Sequence, residues 1–133
     1  MQLEKTSIER FSHEKNDCSV LAFAHIFDIS YERAHAYLKS KGRKDGKGFV
    51  TYLVLKHPKS LKNEFGKCLM EIPPTFIDGR RYRQTLRVFV REHKTGTYFI
   101  RINGHATVLK DGVILDRYLP PEGARVLSAY KVI

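Results

Sequence analysis

Three side chains in this sequence have the types and placement that nucleophilic catalysis needs: Cys18, His105 and Asp116. Thiol chemistry runs through the thiolate, so a reactive cysteine needs a feature that lowers its pKa. Cys18 lies in the run Asp17-Cys-Ser-Val-Leu-Ala-Phe-Ala-His-Ile-Phe-Asp-Ile29, which reads as a helix. Free amides and the dipole at a helix start favour an anion there. His105 follows 87 residues later and supplies a ring that can take the thiol proton. Asp116 is brought to it by a turn. Asp111-Gly112, between two alternating runs, is the signature of a two-residue hairpin loop. With Lys110 opposite Val113, Thr107 faces Asp116 and His105 faces Tyr118. His105 and Asp116 are then diagonal neighbours on one face. From there a carboxylate can fix the imidazole tautomer, the orienting role in a nucleophile–base–acid triad. Leu109 and Ile114 share that face, so the site is expected to be partly buried.

Each residue alone has a plainer reading. Free cysteine is among the most buried residue types. His105 by itself is a hairpin histidine beside Gly104, and Asp116 by itself is a charge at a strand end. The chemistry rests on the three together. Cys68 has no acid–base partner in the sequence and reads as a core or edge thiol. His25 and His35 fall on helices without an assigned role, and His13 stands near the nucleophile. No histidine pair has carboxylates or thiols at ligand spacing, so no metal site and no cofactor is expected. Gly42 to Gly48 lacks the Lys-Ser/Thr ending of a phosphate-binding loop and reads as a mobile surface loop.

The elements that must position these groups are legible to different degrees. Asp17 to Ile29 is apolar on nearly every face, as a buried helix is. Asn16 or Asp17 can cap it, and Ser30 caps a second helix, Tyr31 to Lys41, stopped at Gly42. Between Phe49 and Gly66, Tyr52, Leu53 and Leu55 suggest a short helix broken at His57-Pro58, with a further turn over Ser60 to Phe65. Cys68 to Ile72 reads as a strand ended by Pro73-Pro74. Thr85 to Lys94 carries Leu86, Phe89, Val90 and His93 at helical spacing. After Gly96 the period becomes two, giving strands through Tyr98 to Ile102, His105 to Lys110, Val113 to Tyr118 and Arg125 to Val132. Helices followed by antiparallel strands make an α+β layout, one domain over residues 1–133.

Asn16-Asp-Cys-Ser-Val-Leu-Ala-Phe-Ala24, Gly42-Arg-Lys44, Gly104-His-Ala-Thr-Val108 and Asp111-Gly-Val-Ile-Leu-Asp116 together resemble the papain-like cysteine peptidases. More narrowly, the pattern is similar to small single-domain members found in phages and bacteria, and it spans most of the chain. The resemblance implies Cys18 as nucleophile, His105 as base and Asp116 as orienting acid. It also implies a helical layer packed on a twisted antiparallel sheet, with the site between the layers. The larger enzymes complete the oxyanion hole with a Gln shortly before the nucleophile. Phe11-Ser-His-Glu-Lys15 contains none, and among the nearby donors Asn16 takes that place here, with the Cys18 amide. The chain also has no tryptophan.

Composition narrows the function classes. The 133 residues include 8 Phe and 7 Tyr, more aromatic side chains than a disordered chain carries. No apolar run approaches the length of a membrane span, and Met1 to Ser12 has no apolar signal core. Two cysteines without a second pair suggest free thiols in a reducing compartment. A cytoplasmic protein is expected, in the bacterial host if phage-encoded. The net charge of +10 is concentrated in two segments. Lys39 to Lys67 holds nine basic residues against two acidic, and Arg80 to Lys94 six against one. They suit an acidic partner, or only a solvated face.

The expected activity is hydrolysis of a peptide or isopeptide bond through an acyl-Cys18 intermediate, on a protein or peptide substrate that is acidic if the basic segments steer it. A deamidase or transglutaminase-like enzyme would use the same three residues. A scaffold without catalysis, holding nucleic acid or an acidic protein, is the alternative from another class, and it predicts salt-dependent binding indifferent to Cys18.

Overall fold

A computed structural model describes residues 1–49, 55 and 57–133. In chain order the elements are β1 (Gln2–Lys5), α1 (Cys18–Phe27), α2 (Tyr31–Ser40), α3 (Pro58–Phe65), β2 (Leu69–Glu71), β3 (Thr75–Ile77), β4 (Arg80–Tyr82), α4 (Leu86–Glu92), β5 (Thr97–Ile102), β6 (His105–Lys110), β7 (Val113–Asp116) and β8 (Ser128–Val132). The described residues thus form an α+β fold with a six-stranded sheet, ordered β1-β7-β6-β5-β8-β2, and a separate β3–β4 hairpin.

α1 is the centre of the assembly. Eight of its ten residues are buried, leaving only Cys18 and His25 partly open. Phe23 is fully buried and meets Phe27 and Phe99 edge to face, at 5.4 and 5.8 Å between centroids. Removing such a ring costs about 3–5 kcal/mol. α2 begins where expected: the Ser30 hydroxyl accepts from the Arg33 amide at 3.1 Å. α3 begins at Pro58 itself, two residues before the expected Ser60. Proline has the φ of a first turn and lacks an amide that would go unpaired there. The helix suggested around Tyr52 and Leu53 lies outside the described residues.

The sheet has an apolar cluster on each face. Phe99, Ala106 and Val108 join α1, α2 and α3 on one side. Ile100, Ile102, Leu109, Ile114 and Ala129 join Leu86, Phe89 and Val90 of α4 on the other. This division is the alternation of strands β5 and β6 made visible.

Two elements depart from the sequence-based expectation. β1 pairs parallel with β7, Lys5 beside Asp116, so the sheet is mixed rather than antiparallel. Its four mostly exposed residues give no apolar pattern to detect. The β3–β4 hairpin turns on Asp78-Gly79, both at positive φ (51° and 75°), as a two-residue mirror-image turn requires. No helix among the described residues is long and apolar enough to cross a membrane.

Candidate active site

Cys18 is the first residue of α1. Asp17 occupies the N-cap position without bonding the helix amides. Its fully buried carboxylate instead accepts from Arg10 Nε at 2.8 Å and from the Tyr31 hydroxyl at 2.9 Å. Arg117 Nη1 stands 3.8 Å from its other oxygen. The first-turn amides are left to other acceptors. The Ser19 amide, together with the Ala106 amide from β6, favours the Cys18 thiolate.

β6 and β7 hold the other two groups. Val108 lies opposite Leu115, Leu109 opposite Ile114 and Lys110 opposite Val113, the register counted from the Asp111-Gly112 turn. Both turn residues have positive φ (48° and 83°). His105 and Asp116 come together at the sheet end, with Nε2 2.8 Å from Asp116 Oδ2. The second Asp116 oxygen accepts from the Arg117 amide at 2.7 Å. With Nε2 engaged by Asp116, His105 has Nδ1 left for the Cys18 thiol, and each of the two shifts the other's titration. Tyr118 covers the imidazole, stacked at 5.4 Å and 25°.

The electrostatics of this line oppose ordinary burial. Desolvation lowers the His105 pKa, but hydrogen bonds to Asp116 and Cys18, and the negative charge of both, raise it to about 9. Desolvation raises the Cys18 value, yet the hydrogen bonds from His105 and the Ala106 amide, the imidazolium charge and the Ser19 amide bring it below that of an ordinary thiol. The pair therefore favours thiolate and imidazolium over two neutral groups.

Two cavities meet at His105. One, of about 260 Å³, is walled by Cys18, Ser19, Phe49 and Arg101. The other, of about 490 Å³, is walled by Tyr118, Pro120, Pro121, Arg125 and Leu127. The second basic segment reaches this larger cavity: Arg81 Nη2 donates to the Leu127 carbonyl at 3.2 Å, and Arg125 Nη1 donates to the Arg83 carbonyl at 3.0 Å.

Asn16 is placed differently. It is exposed, at φ 53°, and its side-chain amide donates to the Gly46 carbonyl at 3.0 Å. It is not among the residues that wall the Cys18 cavity. Asparagine tolerates this left-handed conformation, which sets the approach of the chain to Cys18.

The loop from Gly42 to Gly48 is anchored, contrary to its reading as a mobile surface loop. Arg43 is buried and donates both Nη1 and Nη2 to Glu14, each at 3.2 Å. Glu14 also bonds His35 Nε2, at 2.6 Å, and the Gly46 amide. Burial raises the Glu14 pKa, but Arg43, His35 and the Gly46 amide outweigh it and hold the carboxyl at about 2. His35, left without a role by the sequence, is thus part of the clamp. Glu14, His35 and Asp45 bring three potential ligand atoms within 4.8 Å of one another. A metal ion there would compete with the Arg43 guanidinium already paired to Glu14.

Sequence reasoning missed Asp17, Glu14, Arg43, Arg101 and the stacking role of Tyr118. Tyr118 had a signal, because the counted register put it opposite His105. Asp17 and Arg43 lie in the Asn16-Asp-Cys and Gly42-Arg-Lys44 runs, but what they pair with is set by the fold. Cys68 stands apart at the other edge of the sheet, its backbone amide and carbonyl paired with Ile133. His25 bonds the Thr6 hydroxyl at 2.9 Å; burial lowers its pKa, and Asp116 is near enough to act against that. Compared with protein-family models, with curated proteins and with solved structures, the chain matches none.

Proposed function

We propose that this protein is a cysteine-dependent hydrolase of the papain-like kind, cleaving a peptide or isopeptide bond by acyl transfer to Cys18. The observation that carries the reading is that Cys18, His105 and Asp116 come together, with His105 bonded to Asp116, the thiol lowered and the imidazole raised to about 9. An α-helical layer against a sheet, with these groups at their junction, suits the same reading.

The thiolate of Cys18 attacks the substrate carbonyl while His105 is already protonated. The oxyanion forms at the start of α1, where the backbone amide of Cys18 is a donor in reach. Asn16, with one amide hydrogen on Gly46, contributes through its second only if it turns. The imidazolium then protonates the departing amine, which breaks the carbon–nitrogen bond and leaves a thioester. Neutral His105 next takes a proton from water, the hydroxide equivalent attacks the thioester, and Cys18 is released. Asp116 keeps the ring aimed and stabilises its charge throughout.

A small active ester such as p-nitrophenyl acetate tests the acyl-transfer steps without knowledge of the substrate. The expected result is a burst of nitrophenol and an acetyl group on Cys18, removable by hydroxylamine and turned over by water. Both burst and turnover should vanish in Cys18→Ala, and turnover should vanish in His105→Ala. Acetylation of Cys68 at an equal rate, or an acetyl-Cys18 no shorter-lived than in the denatured chain, would overturn the proposal.

A further inference from the structure

The smaller cavity beside Cys18 contains a cation with no counterpart. Four arginines in the described residues are not exposed: Arg10, Arg43, Arg101 and Arg117. Arg10 meets Asp17 at 2.8 Å, Arg43 meets Glu14 at 3.2 Å and Arg117 meets Asp17 at 3.8 Å. Arg101 is the exception: among the described residues no carboxylate lies within 4.0 Å of it. Its one side-chain hydrogen bond goes to a neutral group, the Ser128 hydroxyl, at 3.3 Å. A guanidinium cannot shed its proton to relieve partial burial, so its charge persists in the cavity wall.

The register fixes where that charge points. On β5, Arg101 lies opposite Ala106 of β6 on one side and Ser128 of β8 on the other. Directly opposed residues share a sheet face. Arg101 therefore stands on the face of Ala106 and Phe99, the face covered by α1. Ala106 lines the same cavity as Cys18, and its amide favours the thiolate, so the guanidinium is one strand from the nucleophile. Gly48, Phe49 and Ile102 complete much of the wall, and among the described residues no Asp or Glu contributes to it. A half-buried cation, an apolar wall and no competing acid form a pocket for an anionic group on a mostly apolar stem.

We propose that this cavity is a carboxylate subsite read by Arg101, so that the substrate presents an acidic group next to the bond attacked by Cys18. The inference rests on the reading of Cys18 as nucleophile and adds the substrate class to it. The carboxylate belongs either to an Asp or Glu side chain or to a free chain terminus, and the chemistry at Arg101 is the same. The planar fork of guanidinium donors matches both oxygens of either one.

Iodoacetate and iodoacetamide are near-isosteric alkylating agents that differ by one carboxylate, and they provide the test. Rates at Cys18 and Cys68 are measured by peptide mass spectrometry in the wild type, Arg101→Gln and Arg101→Lys. The iodoacetate-to-iodoacetamide rate ratio at Cys18 should fall about five-fold in Arg101→Gln, the size of a partly screened charge pair. It should recover in part in Arg101→Lys, and the ratio at Cys68 should not move. A ratio at Cys18 that survives Arg101→Gln assigns any carboxylate preference to the His105 imidazolium and overturns the proposal. The ratio is independent of how reactive the thiol is. If iodoacetamide fails to prefer Cys18 over Cys68, the nucleophile reading falls while the ratio still reports on Arg101.

Protection of the wild-type protein supplies a measurement that survives a misfolded variant. Acetyl-glutamyl amide and acetyl-alanine, which carry a side-chain and a terminal carboxylate respectively, are compared with neutral acetyl-glutaminyl amide. Stronger slowing of Cys18 labelling by either acid supports the subsite and identifies the carboxylate source. Equal protection by all three overturns it.

Discussion

Asp116→Asn isolates the charge that sustains the imidazolium while keeping a side chain of the same shape. The Arg117 amide bond at 2.7 Å can persist on the Asn carbonyl oxygen. His105 rises from an ordinary 6.5 to about 9, with the Asp116 hydrogen bond the largest raising cause and its charge adding to Cys18. A raised value in the folded state stabilises the protein fully below the unfolded value and loses that contribution as pH climbs through about 9. If Asp116 supplies half the rise or more, Asn lowers the His105 midpoint to about 8 or below, a loss of at least about 1.4 kcal/mol from the charged pair. The thiol rises in turn, because its strongest lowering cause is the hydrogen bond from His105. Two assays read this. Nitrogen-detected NMR titration follows the His105 midpoint. Iodoacetamide labelling between pH 8 and 9, where the variant's imidazole has lost its proton and the wild type's has not, follows the thiolate, and should slow about ten-fold at Cys18 relative to Cys68 for each unit of thiol shift. Circular dichroism checks that the fold is retained. A His105 midpoint still near 9 in Asp116→Asn would refute the argument that this carboxylate drives the ion pair.

Glu14→Gln leaves Arg43 buried without its counter-charge, which should destabilise the protein by about 3–5 kcal/mol in urea unfolding. In the wild type, the depressed Glu14 value means its contribution is present above about pH 4.5 and lost as pH falls through about 2, so the difference between the two proteins should shrink over that window. Arg117→Gln removes one of the two cations facing the Asp17 carboxylate, and the less compensated anion beside Cys18 should raise the thiol pKa. At 3.8 Å and partly exposed, that effect should stay within about 1 kcal/mol, smaller than for Asp116→Asn, as thiolate titration by ultraviolet absorbance would show. Replacing Arg80, Arg81 and Arg83 with Gln should slow the association of acidic peptides at low salt, and added salt should erase the difference between variant and wild type in stopped-flow measurement.

How much was legible in the sequence follows the range of the interactions. The hairpin register came from two residues, Asp111-Gly112, whose turn geometry sets the pairings from Lys110–Val113 out to Val108–Leu115. α1 was legible because an all-round apolar decamer has only the core to occupy. The Asp78-Gly79 turn carried the same local signal, yet its flanking Thr75–Ile77 and Arg80–Tyr82 are exposed and do not alternate into a core. β1 escaped because a short polar strand gains its place from the β7 edge, not from its own side chains. The Glu14–Arg43 clamp spans 29 residues, and nothing local distinguishes Arg43 from its exposed neighbour Lys44. Arg101 carried no signal beyond its place in the alternating strand through Tyr98 to Ile102. Its face is in fact the one covered by α1, and it stays accessible because the cavity opens at the helix start.

The buried carboxylate of Asp17 explains how groups distant in sequence hold a common geometry. An anion next to a nucleophilic cysteine opposes the thiolate, so its presence needs a structural reason. Arg10, Tyr31 and Arg117 all converge on it. Tyr31 opens α2, Arg117 directly follows Asp116, and Arg10 lies in the segment leading to α1. One side chain therefore ties the start of the nucleophile's helix to the next helix and to the strand end that carries the orienting acid. Arg10 and Arg117 also neutralise the carboxylate, which limits its penalty on Cys18. The contacts that align Cys18 with Asp116 thus make the buried charge tolerable. This accounts for an N-cap aspartate turned away from the helix amides.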